Sequence, residues 1–169
     1  MWPKSFWYRI YEPFIRKAAG LGVASTKHDK ERYEHKYEYC DLLIAGSGPS
    51  GLASAYAAAK NGARVILAED KPRFGGSLLT SDVNIGNQSG EDWANSIISE
   101  LKEMPNVVVK NRSQVFGYYD HNMLVMSEKV SDHLPKTKKH HPKQRLWYLR
   151  AKEVLISSGS IERPLVFGN

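Results

Sequence analysis

The chain has 169 residues, 41% of them hydrophobic and 25% charged, with a formal net charge of +6. That length and composition suit one domain with a real core and exclude a disordered or fibrous protein. The single cysteine, Cys40, excludes an internal disulfide and cannot by itself hold zinc or an iron–sulfur cluster, which points to a reducing compartment.

In chain order, the amino terminus MWPKSFWYRIYEPFIRKAAG sets Trp2, Phe6, Trp7, Ile10, Phe14 and Ile15 at roughly helical spacing, while Pro3 and Pro13 confine any helix to short pieces. Such an aromatic stripe needs cover, from this domain or from a neighbour. Charges every few residues leave no apolar stretch of signal-peptide length, and no run reaches the ~18 apolar residues of a spanning helix. A cytoplasmic location with no membrane partner is expected. Residues 21–36 turn polar and read as a linker, so residues 1–36 form an aromatic amino-terminal segment and 37–169 the main domain.

An apolar run from Asp41 to Ala45 follows, then the cluster Gly46-Ser47-Gly48-Pro49-Ser50-Gly51, an alanine-rich stretch over 52–60, the stop signal Asn61-Gly62, and a second apolar run over 63–68. Lengths and punctuation give strand, helix, strand. Residues 71–90, rich in Gly, Ser and Asn, read as a long loop. The spacing of Trp93, Ile97, Ile98 and Leu101 predicts a second helix over 91–104, starting at Ser89 or Gly90 and stopped by Pro105. Residues 106–111 predict a third strand. SQVFGYYD, MLVMSEKV and LWYLRAKEVLISSG are β-rich runs separated by turns, an antiparallel excursion before a last strand over 153–157.

The three glycines have the spacing G-x-G-x-x-G between a strand and a helix, and that context gives an otherwise weak pattern its weight. Gly46 permits the tight turn, Gly48 leaves room for a pyrophosphate to approach the backbone, and Gly51 lets helix and strand lie close. Pro49 and Ser50 in the first turn direct free N–H groups and the positive end of the helix dipole at phosphates. Glu69 ends the second strand 18 residues after Gly51, near the ~20 expected of an acid that accepts from a ribose 2′-hydroxyl. A carboxylate there repels a 2′-phosphate, which favours NAD or FAD over NADP. The expected fold class is α/β: a Rossmann-like FAD/NAD(P)-binding domain, doubly wound, with a βαβ unit, a parallel sheet and an antiparallel β excursion.

Much of the positive charge lies in PKTKKHHPKQR, residues 135–145, where two prolines and the lack of interleaved aromatics predict a solvated loop and no nucleic-acid partner. The six histidines and Cys40 form no metal spacing. Asp120, His121 and Asn122 read as a hairpin turn, since neighbours on a strand point to opposite faces and cannot form a relay. No residue is identified as a catalytic acid, base or nucleophile.

The unit from strand to Glu69, followed by Gly75-Gly76 in PRFGGSLL and by VLISSGSIERP, resembles the two-dinucleotide-binding flavoprotein superfamily. Within it, MWPKSFWYRIYEPFIRKAAGLG, RYEHKYEYCDLLIAGSGPSGL, VFGYYDHN, VSDHLP and QRLWYLRAKEVLISSGSIERPLVF resemble the α-subunit family of heterotetrameric sarcosine oxidases over nearly the whole chain. The resemblance implies NAD in this Rossmann unit, with FAD and the sarcosine oxidation site on a β subunit, FMN between α and β, and tetrahydrofolate on a carboxy-terminal α domain. It implies β, γ and δ subunits as partners, and a chain that is an internal fragment, incomplete at its carboxy terminus. It also implies that Ser50 and its neighbours face the pyrophosphate, Glu69 and Asp70 line the ribose with Lys71 following on the loop, Ser77 offers a hydroxyl to phosphate, the Val115 backbone meets the adenine edge, and Gly159 closes the floor. Two other readings stay open: an FAD-binding subunit of a related amine or opine dehydrogenase, and a non-catalytic assembly module.

Overall fold

The computed structural model describes residues 6–22, 25–135 and 140–160. Trp2 and Pro3 of the aromatic stripe, residues 136–139 of the basic loop and the IERPLVF string lie outside them. The chain divides into two compact units, Met1–Lys30 and Glu31–Asn169. In the first, a π-helical stretch Trp7–Tyr11 runs into α1 (Glu12–Ala18). Pro13 sits in the first turn of α1, and Arg16 pairs with Glu12 one turn back. No residue of either piece is buried.

The second unit is built on a six-stranded sheet. β1 (Tyr33–Ala45) pairs in parallel with β2 (Val65–Ala68), and β2 pairs in parallel with β5 (Val107–Lys110). On its other side β1 pairs in parallel with β8 (Gln144–Ile156). β8 pairs antiparallel with β7 (Met123–Lys129), and β7 with β6 (Ser113–Tyr119), giving the order β5-β2-β1-β8-β7-β6. Two-residue strands β3 (Asn84–Ile85) and β4 (Gln88–Ser89) form a separate hairpin.

α2 (Pro49–Lys60) joins β1 to β2, and α3 (Gly90–Glu103) leads into β5. Ser89 caps α3, its hydroxyl accepting from the Asp92 N–H at 3.1 Å. Both helices pack on one face of the sheet, where Leu52, Ala55 and Ala59 meet Ile97, Ile98 and Leu101 over Ile44, Val65 and Leu67. The alanines of α2 let these layers approach closely.

The other face corrects the doubly wound expectation, because among the described residues strands alone cover it. Cys40, Leu43, Ile66 and Ala68 are buried there against Leu124, Met126, Leu149 and Ala151. In a flat sheet β2 and β6 would lie four strand spacings apart, about 19 Å, yet the Ser113 N–H at the start of β6 donates to the carbonyl of Glu69, which directly follows β2, at 2.8 Å, so the antiparallel strands curl back over the parallel ones. β1 shows where the bend occurs. Cys40 and Leu43 are three residues apart yet face the same cluster, and between them the N–H groups of Asp41 and Leu42 both donate to the Arg64 carbonyl, at 2.9 and 3.1 Å. The strand thus changes face at Asp41.

Two long strands also revise the boundaries. β1 starts at Tyr33, inside the stretch that reads as a linker, because residues 33–40 pair with the antiparallel half of β8. β8 is one continuous strand over 144–156 rather than a short strand over 153–157. The predicted helix over 91–104 is present within one residue at each end, and the Asp120–Asn122 turn lies between β6 and β7, with His121 and Asn122 at φ 58° and 51°. No helix of the described residues is long and apolar enough to cross a membrane.

Candidate functional site

β1, β2 and β8 run in parallel, so their carboxy-terminal ends meet at one edge of the sheet, and the predicted site residues gather there. Gly46 leaves β1 at φ +107°, and a Cβ on it would lie 2.4 Å from the Ser157 carbonyl oxygen. A Cβ on Gly51 would lie 2.1 Å from the Gly46 carbonyl oxygen and 2.8 Å from Ser157 Oγ. Both positions therefore require glycine, because β1, α2 and the end of β8 converge within contact distance. Gly48 differs: it precedes α2 at φ −67°, and a Cβ on it would meet nothing within 4 Å. The space beside Gly48 faces the first turn of α2, where Pro49 and Ser50 are exposed and the N–H groups have no acceptor within the helix.

The Gly75-Gly76 doublet packs onto this loop. Gly75 and Gly76 have φ +124° and +54°, and a Cβ on Gly76 would stand 2.9 Å from Gly48 Cα. The Gly75 N–H donates to the Ser47 carbonyl at 3.0 Å and to Ser47 Oγ at 3.2 Å. Ser77, exposed, is the second residue of the short 3-10 turn Gly76–Leu79.

Glu69 directly follows β2 and is buried. Its Oε2 accepts from the Ser47 N–H at 2.9 Å and from the Ser47 hydroxyl at 2.5 Å, while Oε1 accepts from the Lys71 N–H at 3.0 Å. The carboxylate is therefore turned toward the glycine loop. Asp70 is exposed, and its carboxyl is held below the usual carboxylate range, first by hydrogen bonding with the neighbouring Glu69 carboxyl and then by Lys71, whose ammonium lies 3.2 Å away. Burial opposes that shift. Lys71 thus directs its charge to Asp70.

Val115 lies on β6, the edge strand, beside a register shift between Val115 and Gly117. The N–H of Ser113, two residues earlier, donates to the Glu69 carbonyl at 2.8 Å, which brings this part of β6 alongside the end of β2. Gly159 follows β8 at φ +70° with nothing within 4 Å of a Cβ, so it stands at the open rim. The residues at the sheet edge are thus brought together, with Ser77 and Gly159 at the periphery.

Ser157 escapes notice in the sequence. Its N–H donates to the Ala45 carbonyl at 2.9 Å and its hydroxyl to the Gly46 carbonyl at 3.1 Å, so the end of β8 props the first glycine. The signal available was its place at the end of a strand, immediately before Ser158-Gly159. Among the described residues no group of His, Cys, Asp and Glu is arranged to hold a metal.

The residues fit a dinucleotide phosphate site: a cradle that a side chain on Gly48 would fill, a helix amino terminus, and a carboxylate aimed at the loop. In known proteins, this chain is similar to the sarcosine oxidase subunit alpha of Rhizobium meliloti strain 1021, 45% identical over 99% of this chain and 17% of that protein. It is also similar to the sarcosine oxidase subunit alpha of Corynebacterium sp. strain U-96, 34% identical over 89% of this chain and 16% of that protein. The chain therefore spans about a sixth of the length of these curated relatives. Among solved structures, the L-proline dehydrogenase of P. horikoshii matches with a TM-score of 0.61 and 18% identity over 86% of this chain and 27% of that one, a likeness of fold. The family model described as FAD dependent oxidoreductase matches residues 41–137, more than half of the chain, and the chain belongs to the FAD dependent oxidoreductase family.

Proposed function

We propose that this chain is the dinucleotide-binding part of a sarcosine oxidase-like oxidoreductase, and that it holds the ADP half of NAD. The observation that carries the reading is the contrast among the glycines: Gly46 and Gly51 are packed against backbone, while Gly48 faces open space at the tip of α2. In this reading the pyrophosphate lies beside Gly48 on the N–H groups of the first turn, with the Ser50 and Ser77 hydroxyls within its reach. Glu69 accepts from a ribose hydroxyl, and Asp70 and Lys71 border the sugar. The unpaired outer edge of β6 at Val115 meets the adenine, and Gly159 backs the floor.

The dinucleotide, when bound, supplies the electron-accepting chemistry; these residues bind and orient it. None of them is placed as an acid, base or nucleophile. The whole enzyme would demethylate sarcosine oxidatively to glycine and pass the one-carbon unit to tetrahydrofolate, with FAD and FMN elsewhere and β, γ and δ subunits as partners in a cytoplasmic complex. The similarity to two sarcosine oxidase α subunits supports this assignment. FAD in the same pocket is the second reading, favoured by the family's description as FAD dependent.

The test is to purify the complex from its host, release the nucleotide with denaturant, and identify it by mass. One NAD per chain, absent from Gly48→Trp, supports the reading. FAD released in an amount that falls by one per chain in Gly48→Trp, with no NAD, supports the second one. A wild-type complex that holds no dinucleotide here removes both.

A further inference from the structure

Ser47 stands second in the glycine loop, fully buried, and it touches two other site segments through one hydroxyl. Its Oγ accepts from the Gly75 N–H at 3.2 Å and its O–H donates to Glu69 Oε2 at 2.5 Å. The backbone repeats the connection: the Ser47 N–H donates to the same Oε2 at 2.9 Å, and the Ser47 carbonyl accepts from the Gly75 N–H at 3.0 Å. The chain of donors runs one way, from the Gly75 N–H through the Ser47 O–H to the Glu69 carboxylate.

The three protein donors on Glu69, from the Ser47 N–H, the Ser47 hydroxyl and the Lys71 N–H, are all neutral. A carboxylate has about four acceptor positions, and with the Asp70 carboxyl also hydrogen-bonded to Glu69, a sugar hydroxyl takes the position that Asp70 shares. Glutamate has three rotatable bonds, and a carboxylate that must meet a sugar hydroxyl works best when its rotamer is already fixed. The Ser47 hydroxyl supplies that fixing and binds the Gly75-Gly76 loop to it.

We propose that Ser47 is a positioning residue that sets the Glu69 carboxylate and the double-glycine loop as one unit, so that recognition of an unmodified ribose depends on Ser47 although it does not itself touch the nucleotide. The proposal rests on the dinucleotide reading above. Alanine at position 47 keeps the N–H donor and the carbonyl and removes only the hydroxyl. Glu69 then loses one of its two anchors on Oε2, and Gly75 keeps its carbonyl partner.

The test uses the full chain, stripped of nucleotide, with ADP and 2′-deoxy-ADP as probes and calorimetric dissociation constants as the readout. The quantity of interest is the ratio of the 2′-deoxy-ADP constant to the ADP constant. In the wild type a hydrogen bond to a charged acceptor makes this ratio about tenfold or more. Ser47→Ala should bring it close to that of Glu69→Gln, and adding Ser47→Ala to Glu69→Gln should leave it where it is. Ser47→Cys, which fills the same space with a weaker donor, should fall between wild type and alanine, and it serves if the alanine variant does not fold. A serine that merely packs would weaken both probes alike and leave the ratio at its wild-type value, which overturns the proposal. If wild-type protein binds no ADP, the dinucleotide reading fails and the proposal with it. ADP binding with a ratio indifferent to position 47 removes the proposal alone.

Discussion

Gly48 and Gly51 are three residues apart in one motif, yet the structure gives their substitution opposite consequences. Alanine at 51 drives a methyl to 2.1 Å from the Gly46 carbonyl oxygen, so backbone must move, at a cost of about 1–3 kcal/mol or more. Alanine at 48 meets nothing and sits at an ordinary φ of −67°, so folding stability should stay within about 0.5 kcal/mol. Thermal melting should therefore separate the two variants, while both weaken ADP binding, Gly48→Ala by filling the space the phosphates need. The buried Cys40 thiol makes a second residue-level prediction. Burial first, then the charges of Asp41 and Glu38, push its pKa up to about 11. The unfolded chain ionises that thiol near ~8.5, so the stability it contributes is complete below that pH and is lost as pH rises toward about 11. A thiol reagent at pH 8 should leave Cys40 unlabelled until denaturant is added, and labelling of the native chain would contradict the burial. Sequence alone identified these glycines. It could not reveal that Ser157 props Gly46, because that contact joins strands whose adjacency depends on the whole sheet.

Among the elements, the antiparallel strands are fastened to β5 by a charge cluster that no motif announces. Glu128 on β7 accepts from the Trp147 indole N–H at 2.7 Å and from Arg145 at 3.0 Å, and Lys110 at the end of β5 reaches it at 3.3 Å. Arg145 also bonds Glu34 on β1 at 3.0 Å, and the Lys110 ammonium lies 4.6 Å from the centre of the Trp147 ring. Burial raises the Glu128 pKa, but the Trp147, Lys110 and Arg145 donors outweigh it and hold the carboxyl below its ordinary value. For a depressed carboxylate the stabilisation is present above the unfolded value of ~4.3 and is lost as pH falls through the folded one. Glu128→Gln should accordingly cost about 1 kcal/mol at neutral pH, allowing for partial exposure, and flatten the acid limb of a urea-denaturation series. An unchanged acid limb would show that the cluster does not anchor β7. The members come from four strands, at 34, 110, 128 and 145–147; register aligns those on β1, β7 and β8, and the curl of the sheet brings Lys110 to them. By contrast α3 was legible almost to the residue, because its cap, apolar face and stop signal are all local.

At the level of the molecule, the βαβ unit and the antiparallel excursion could be read from period and punctuation, but the curl that lays strands over the second face could not. That curl depends on β1 and β8 being long enough to serve both halves, and polar residues such as Glu34 and Lys36 disguise the first four residues of β1 as a linker. The layered core predicts how exchange protection is distributed. Amides in Leu43–Ala45 and Val65–Ala68, covered on both faces, should exchange slowest, and those of the β3–β4 hairpin fastest. Hydrogen exchange read by mass spectrometry checks this, and uniform protection across the unit would contradict the layering.

β8 lies between β1 and β7 although it is the last of the described strands in sequence order. During synthesis, β1 and β7 therefore leave the ribosome with one edge each bare, and neither can close until residues 144–156 emerge. Halting translation before Gln144 would yield a nascent chain with two open templates for wrong pairing, and chaperone capture should peak in that interval.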